Sequence, residues 1–242
     1  VRDRVPIYGS GGFTSYSEAE LTEQLTGWVL SGISRVKMKI GKNWGRCAGE
    51  DVTRARLVRD GIGPDAELFV DANGAYEVKQ AIQMAERMAG EAGVSYFEEP
   101  VSSDHLQQLA AVRRAAPMSI AAGEYGYDPW YFRNMLGAEA VDIIQADATR
   151  CLGVTGWLEA AHLAHAFAIP FSAHCAPTVH SHLGCAAPQM SHIEYFWDHV
   201  RIDQLLFDGA PQPIAGCLQP DAGRPGLGIE FKRADAEQWR IL

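Results

Sequence analysis

Eight times along this chain a short apolar or β-branched run appears, and most of these runs stop abruptly at a polar residue before a helix-patterned stretch begins. The runs are Val5 to Tyr8, Arg35 to Gly41, Leu68 to Gly74, Ser95 to Pro100, Ser119 to Glu124, Val141 to Asp147, Pro170 to His174 and Ser191 to Phe196. Between the first two, Ser17 and Glu20 have capping-box spacing and open a helix whose Leu21, Leu25 and Val29 share a face, with Gly32 as the stop. Further helical patterns cover about 50–60, 77–90, 104–115, 129–136 and 154–167, with a weaker one near 178–187. Eight strands separated mostly by helices predict an α/β fold, a TIM-like parallel (β/α) barrel.

Composition sets limits on what such a barrel does. The 242 residues are 47% hydrophobic, enough for one large core. With 21 Lys and Arg against 30 Asp and Glu, the net charge is −9 and no dense basic block exists, which argues against nucleic acid as a partner. The most apolar region, Trp157 to Phe171, is interrupted by Glu159, His162 and His165, so no membrane partner is expected. Five scattered cysteines without a CxxC pair indicate neither a disulfide framework nor a zinc site, and a cytoplasmic location is expected.

Reactive groups of these barrels sit at the C-terminal ends of the strands. That rule selects Lys39, Asp71, Glu98, Glu124, Asp147, His174 and Glu194. In the run Arg35-Val36-Lys37-Met38-Lys39-Ile40, strand alternation sends Lys37 and Lys39 to one side and the apolar residues to the other. Two adjacent ammonium groups should depress each other's pKa and make one a usable base; a solvated edge strand would carry lysines for another reason, to block aggregation. Asp71, Glu98 and Glu124, from consecutive strands, converge on a position that calls for a hard divalent ion, magnesium being the natural choice. Helix N-termini would explain any one of these carboxylates, but less readily all three. Glu99 should face away as a structural partner. Asp147 and His174, ending neighbouring strands, suit a carboxylate-oriented acid/base imidazole. Tyr8, Ser10, Asn73, Tyr125, His180 and His182 are candidates for further polar groups at the mouth.

The series "VKMKIG", "FVDAN", "FEEP", "AAGE", "QADATRCLGVTGW" and "PFSAHCAP" resembles the mandelate racemase subgroup of the enolase superfamily, in order and along nearly the whole chain. The resemblance implies a modified (β/α)7β barrel over 1–242 lacking the small N-terminal capping domain, with a tail over 215–242 packing against that domain. It implies that Lys39 abstracts or returns a proton alpha to a carboxylate, that Lys37 tunes it, and that Asp71, Glu98 and Glu124 bind Mg2+. The His174 and Asp147 dyad would work on the opposite face of the substrate. Glu194 would hydrogen-bond the substrate carboxylate, and Asn73 would touch the metal-bound substrate. Pairing a lysine or histidine base with magnesium is a known pattern of this superfamily. Asp147 stands where the muconate-cycloisomerase branch has a lysine, which disfavours that branch, and enolase itself lacks the paired lysines. The expected activity is dehydration of a sugar acid to a 2-keto-3-deoxy acid in a homo-oligomer. The alternatives are a racemase or epimerase of a 2-hydroxy acid, and a non-catalytic barrel serving binding or assembly.

Overall fold

The computed structural model describes residues 1–241; Leu242, the last residue of the domain expected over 1–242, lies outside the described residues. Eight parallel strands follow one another: β1 (Val5–Gly11), β2 (Arg35–Lys39), β3 (Glu67–Asp71), β4 (Val94–Glu98), β5 (Ser119–Ala122), β6 (Ile143–Ala146), β7 (Phe171–Ala173) and β8 (Met190–Phe196). Each pairs with the next, and β1 pairs with β8 in a register that sets Tyr8 against Glu194, which closes the barrel.

The helices α1 (Glu18–Leu30), α2 (Ala48–Ile62), α3 (Val78–Ala92), α4 (Leu106–Ala115), α5 (Pro129–Gly137), α6 (Gly153–Ala166) and α7 (Pro177–Ala186) fill the intervals between strands. Their bounds lie close to those expected from apolar periodicity. The Ser17 hydroxyl accepts the Glu20 N–H at 3.3 Å while the Glu20 carboxylate accepts the Ser17 N–H at 2.8 Å, so the first helix starts where the capping box puts it. The structure adds a helix the sequence reading did not assign, α8 (Trp197–Leu206), directly after the eighth strand. Only Val200 of α8 is buried, so its apolar pattern is too thin to read from periodicity.

Two cores result from strand alternation. Val36, Met38 and Ile40 point outward into the large core shared with the helices. Tyr8, Phe69, Tyr96 and Ala121 point inward and form a separate cluster on the barrel floor, where Phe69 stacks on Tyr96 at 4.5 Å and His192 meets Tyr8 edge-on at 4.9 Å. Two residues further along the same strands stand Asp71 and Glu98, so the interior changes from aromatic to charged within one step of the pleat. After β5, Gly123 adopts φ +134°, and a Cβ there would lie 2.2 Å from the Gln145 carbonyl oxygen. Glycine at this position lets the chain pass close to β6 before presenting Glu124.

The tail returns to the barrel. Cys217–Leu218 (β10) pairs antiparallel with the start of β1, and Leu218 is fully buried. Glu230–Phe231 (β11) pairs with Phe207–Asp208 (β9). No helix among the described residues is long and apolar enough to cross a membrane.

Candidate active site

Lys37 stands directly above the aromatic floor. Its ammonium donates to Glu98, lies 2.9 Å from Glu194 Oε1 and 3.5 Å from Asp71 Oδ2, and donates to the Tyr8 hydroxyl at 3.3 Å. One pleat later Lys39 pairs with Asp71. The sequence expectation was mutual depression of the two lysine pKa values. The structure corrects it: both are raised. Burial alone would lower them, and Lys37 does lower Lys39, but Glu194 and Glu98 around Lys37 and Asp71 beside Lys39 outweigh those effects. The carboxylates come from strands β3, β4 and β8, which a reading of one strand cannot see.

Asp71, Glu98 and Glu124 each present an oxygen within 4.8 Å of the others, and all three are buried. Two buried carboxylate oxygens of this trio, Glu98 Oε1 and Glu124 Oε2, have no hydrogen-bond partner. Burial and the nearby Asp71 push the Glu98 carboxyl well above its usual range, whereas Lys39 and Lys37 hold Asp71 below its own against the effect of burial. Orphaned, mutually repelling oxygens without nitrogen or sulfur among them fit a hard divalent ion such as magnesium. Glu99 departs from expectation. It adopts φ +39°, which ends the strand alternation, and its buried side chain feels Glu124 and Asp71. Burial first, then those two carboxylates, raise its pKa to about 8.

On the other flank, His174 Nδ1 lies 2.9 Å from Asp147 Oδ2. Burial would raise the Asp147 pKa, but hydrogen bonds from His174 and from the Thr149 hydroxyl and N–H bring it to about 2. Anchored at Nδ1, the ring directs Nε2 inward, 3.4 Å from Glu124 Oε2. Arg150 ties the two flanks together, its guanidinium 3.5 Å from Glu124 Oε1 and 3.7 Å from Asp147 Oδ2. The strand-end rule passes over Arg150, because its partners are set by the turn after β6.

Glu194 accepts from Ser10 Oγ at 2.6 Å and from the Cys175 N–H at 2.9 Å. Burial opposes its ionisation, yet Lys37 holds it well below the usual carboxylate range. In that state it accepts hydrogen bonds, so contact with a substrate carboxylate requires a proton on one partner. Asn73 sits at φ +46°, its N–H donating to Asp71 Oδ1 at 2.8 Å, and lines an open cavity of about 600 Å³ with Lys39, Phe13, Ile40 and Trp44. Tyr125 also lies at the surface, under the Arg150 cation.

Three other expected mouth groups are elsewhere. Tyr8 belongs to the floor; His180 is buried, accepting the Ala148 N–H at Nε2 and facing the Cys175 carbonyl at Nδ1; half-buried His182 meets the Leu227 carbonyl of the tail. Helix α7 turns His180 and His182 to different sides, which position in the sequence alone does not reveal.

The chain is 29% identical over 249 residues to arabinonate dehydratase of Saccharolobus solfataricus, covering 98% of this chain and 64% of that protein. It is 29% identical over 260 residues to D-galactarolactone cycloisomerase of Agrobacterium fabrum, covering 99% and 66%. It thus spans about two thirds of the length of these curated relatives. A mandelate racemase/muconate lactonizing enzyme-like protein from Rubrobacter xylanophilus superposes with TM-score 0.94 at 49% identity, over 98% of this chain and 65% of that one. An enolase from Bradyrhizobium complexed with magnesium and mandelic acid superposes with TM-score 0.88 at 26% identity, over 99% and 63%. The Enolase C-terminal domain-like family model matches residues 20–236, nine-tenths of the barrel and tail, and the chain belongs to that family within the enolase superfamily.

Proposed function

We propose that this protein is a magnesium-dependent acid-sugar dehydratase, converting a 2,3-dihydroxy acid to a 2-keto-3-deoxy acid. The observation that carries the reading is the order of groups around the mouth: a lysine touches the first member of the carboxylate trio, Asp71, and an imidazole nitrogen approaches the last, Glu124, at 3.4 Å. A substrate carboxylate held at the trio has a base available on one side and an acid on the other. The dehydratase and cycloisomerase relatives support this class of chemistry.

Asp71, Glu98 and Glu124 would hold the magnesium, which supplies positive charge against the negative charge that develops on the substrate carboxylate. Lys39, neutral once Asp71 serves as a metal ligand and no longer as its counter-ion, takes the alpha proton, a contribution of typically about 10²–10⁴-fold for a positioned base. Lys37, fixed by Glu98 and Glu194, keeps Lys39 and Asp71 in register from below. His174, oriented by Asp147, gives a proton to the departing 3-hydroxyl, so that water leaves and the resulting enol ketonises. Glu194 binds the substrate carboxylate end through a proton shared between the two, and Asn73, beside Asp71, touches the metal-bound substrate from the rim.

A second reading, racemase or epimerase of a 2-hydroxy acid, is favoured by one feature: Phe13 and Trp44 give the cavity beside Lys39 an apolar wall suited to a ring. Incubation of the full natural chain with Mg2+ and a panel of sugar acids and aryl hydroxy acids separates the two. The dehydratase reading expects 2-keto acid from at least one vicinal diol acid. Interconversion of epimers with no keto product from any of them would establish the second reading instead.

A further inference from the structure

Besides the oxygen trio, the barrel mouth contains a second convergence of donor atoms, and it is of a different chemical kind. His174 Nε2 and Cys175 Sγ are 3.3 Å apart, Cys175 Sγ and Glu194 Oε2 3.4 Å, and His174 Nε2 and Glu194 Oε2 3.8 Å. Adjacent strand residues point to opposite faces, but Cys175 adopts φ +49° and Ala176 φ +40°, and this left-handed turn after β7 lets the imidazole and the thiol meet. All three residues are buried.

We propose that His174, Cys175 and Glu194 form a thiophilic metal site, suited to zinc, whose occupation removes the imidazole from proton transfer. A tetrahedral zinc with ordinary nitrogen, sulfur and oxygen bond lengths places such ligand atoms about 3.3–3.6 Å apart, the spacing found here to within a few tenths of an ångström. The outer shell is also built. Asp147 engages Nδ1 at 2.9 Å and leaves Nε2 with its lone pair directed inward, the carboxylate–histidine arrangement common behind bound metals. Ser10 and Lys37 hold Glu194 Oε1 at 2.6 and 2.9 Å, while Oε2, which also accepts the Cys175 N–H at 2.9 Å, faces the thiol. A water completes four-coordination. On binding, the Cys175 Sγ–H proton leaves to solvent and a sulfur–metal bond replaces it. Soft sulfur and imidazole ligands separate this site from the all-oxygen trio, so magnesium and zinc occupy different positions.

The site stands on this geometry alone; the inhibition it causes rests on His174 acting in the reaction proposed above. The test uses the full natural chain saturated with Mg2+ and titrated with Co2+, reading thiolate-to-cobalt charge-transfer absorption in the near ultraviolet. One equivalent should develop the band, Zn2+ should bleach it, and Cys175→Ser and Cys175→Ala should each abolish it while Cys47→Ser keeps it. Zinc should inhibit turnover, with the inhibition midpoint raised roughly 10–100-fold in Cys175→Ser. A band absent from the natural chain, or surviving both Cys175 variants, overturns the site. A Cys175-dependent band without loss of turnover leaves the site standing and overturns the role given to His174.

Discussion

Glu194 Oε1 lies 2.9 Å from Lys37 Nζ across the barrel interior, and both side chains are 1% exposed. Lys37 is also paired with Glu98, so one ammonium is the partner of two buried carboxyl groups. Removing a buried charge partner strands the other charges, at a cost of about 3–5 kcal/mol. Lys37→Met, which keeps the side-chain length, is therefore expected to destabilise the protein by that amount in urea unfolding without added metal. A loss under about 1 kcal/mol would mean that water or a rearranged side chain replaces the ammonium.

Glu98→Gln removes one negative charge from the trio while preserving shape. Calorimetric Mg2+ affinity is expected to fall by at least about tenfold, with activity falling in parallel, and chelation should abolish turnover in the natural protein until Mg2+ is restored. Full activity in excess chelator would refute the ligand assignment.

The two acid/base groups should be separable by stereochemistry. Lys39→Ala is expected to stop solvent deuterium entering the alpha position of one epimer, and His174→Asn that of the other, with losses of about 10²-fold or more by NMR. In the dehydratase reading His174→Asn also stops keto-acid formation while alpha exchange driven by Lys39 persists. Equal loss for both epimers in both variants, with Mg2+ still bound, would contradict opposed faces.

Acid should weaken the fold through two histidines far from water. Burial lowers the pKa of His180 to about 4 and that of His192 to about 3. Both are depressed relative to an unfolded value near 6.5, so below that pH the unfolded chain binds protons that the folded chain refuses. Stability is then fully present above about pH 6.5 and falls by roughly 1.4 kcal/mol per pH unit for each group as pH drops towards 4. Glu98 and Glu99, with raised values, act in the opposite sense, so the histidine contribution is read from urea midpoints of the natural protein and a variant at pH 7 and pH 5. His192→Phe, set among Tyr8, Phe69 and Tyr96, should be less destabilised by acid than the natural protein by roughly 1.4 kcal/mol per pH unit; an equal response would show that His192 is not a group responsible.

What could be read from sequence was whatever depends on periodicity along one strand or helix. The inward set Lys37 and Lys39, the strand-end carboxylates and the Ser17 cap all follow from alternation or spacing within a short segment, and the structure has them there. What depends on distance across the barrel was not legible. The lysine pKa values are raised because Asp71, Glu98 and Glu194 arrive from three other strands. The thiol of Cys175 meets His174 and Glu194 because two consecutive residues take left-handed backbone, a conformation that neither cysteine nor alanine advertises. Glu99 turned out buried among carboxylates for the same reason.

The pairing of β1 with both β8 and β10 has a kinetic consequence. Ser10 and Glu194 are 184 positions apart, so a ribosome adding residues at cellular rates needs roughly 10–40 s between delivering the two sides of the seam. During that interval β1 can pair with β2 but leaves its other edge open, and the Glu194 carboxylate that accompanies Lys37 has not yet been made. Closure of the ring is thus the step with the greatest loop entropy, and Leu218, which docks beside Val5, must emerge later still. Folding of the barrel is expected to finish only after β8 and the β10 segment have been synthesised, with the free edge of β1 exposed to chaperones or to misassociation until then.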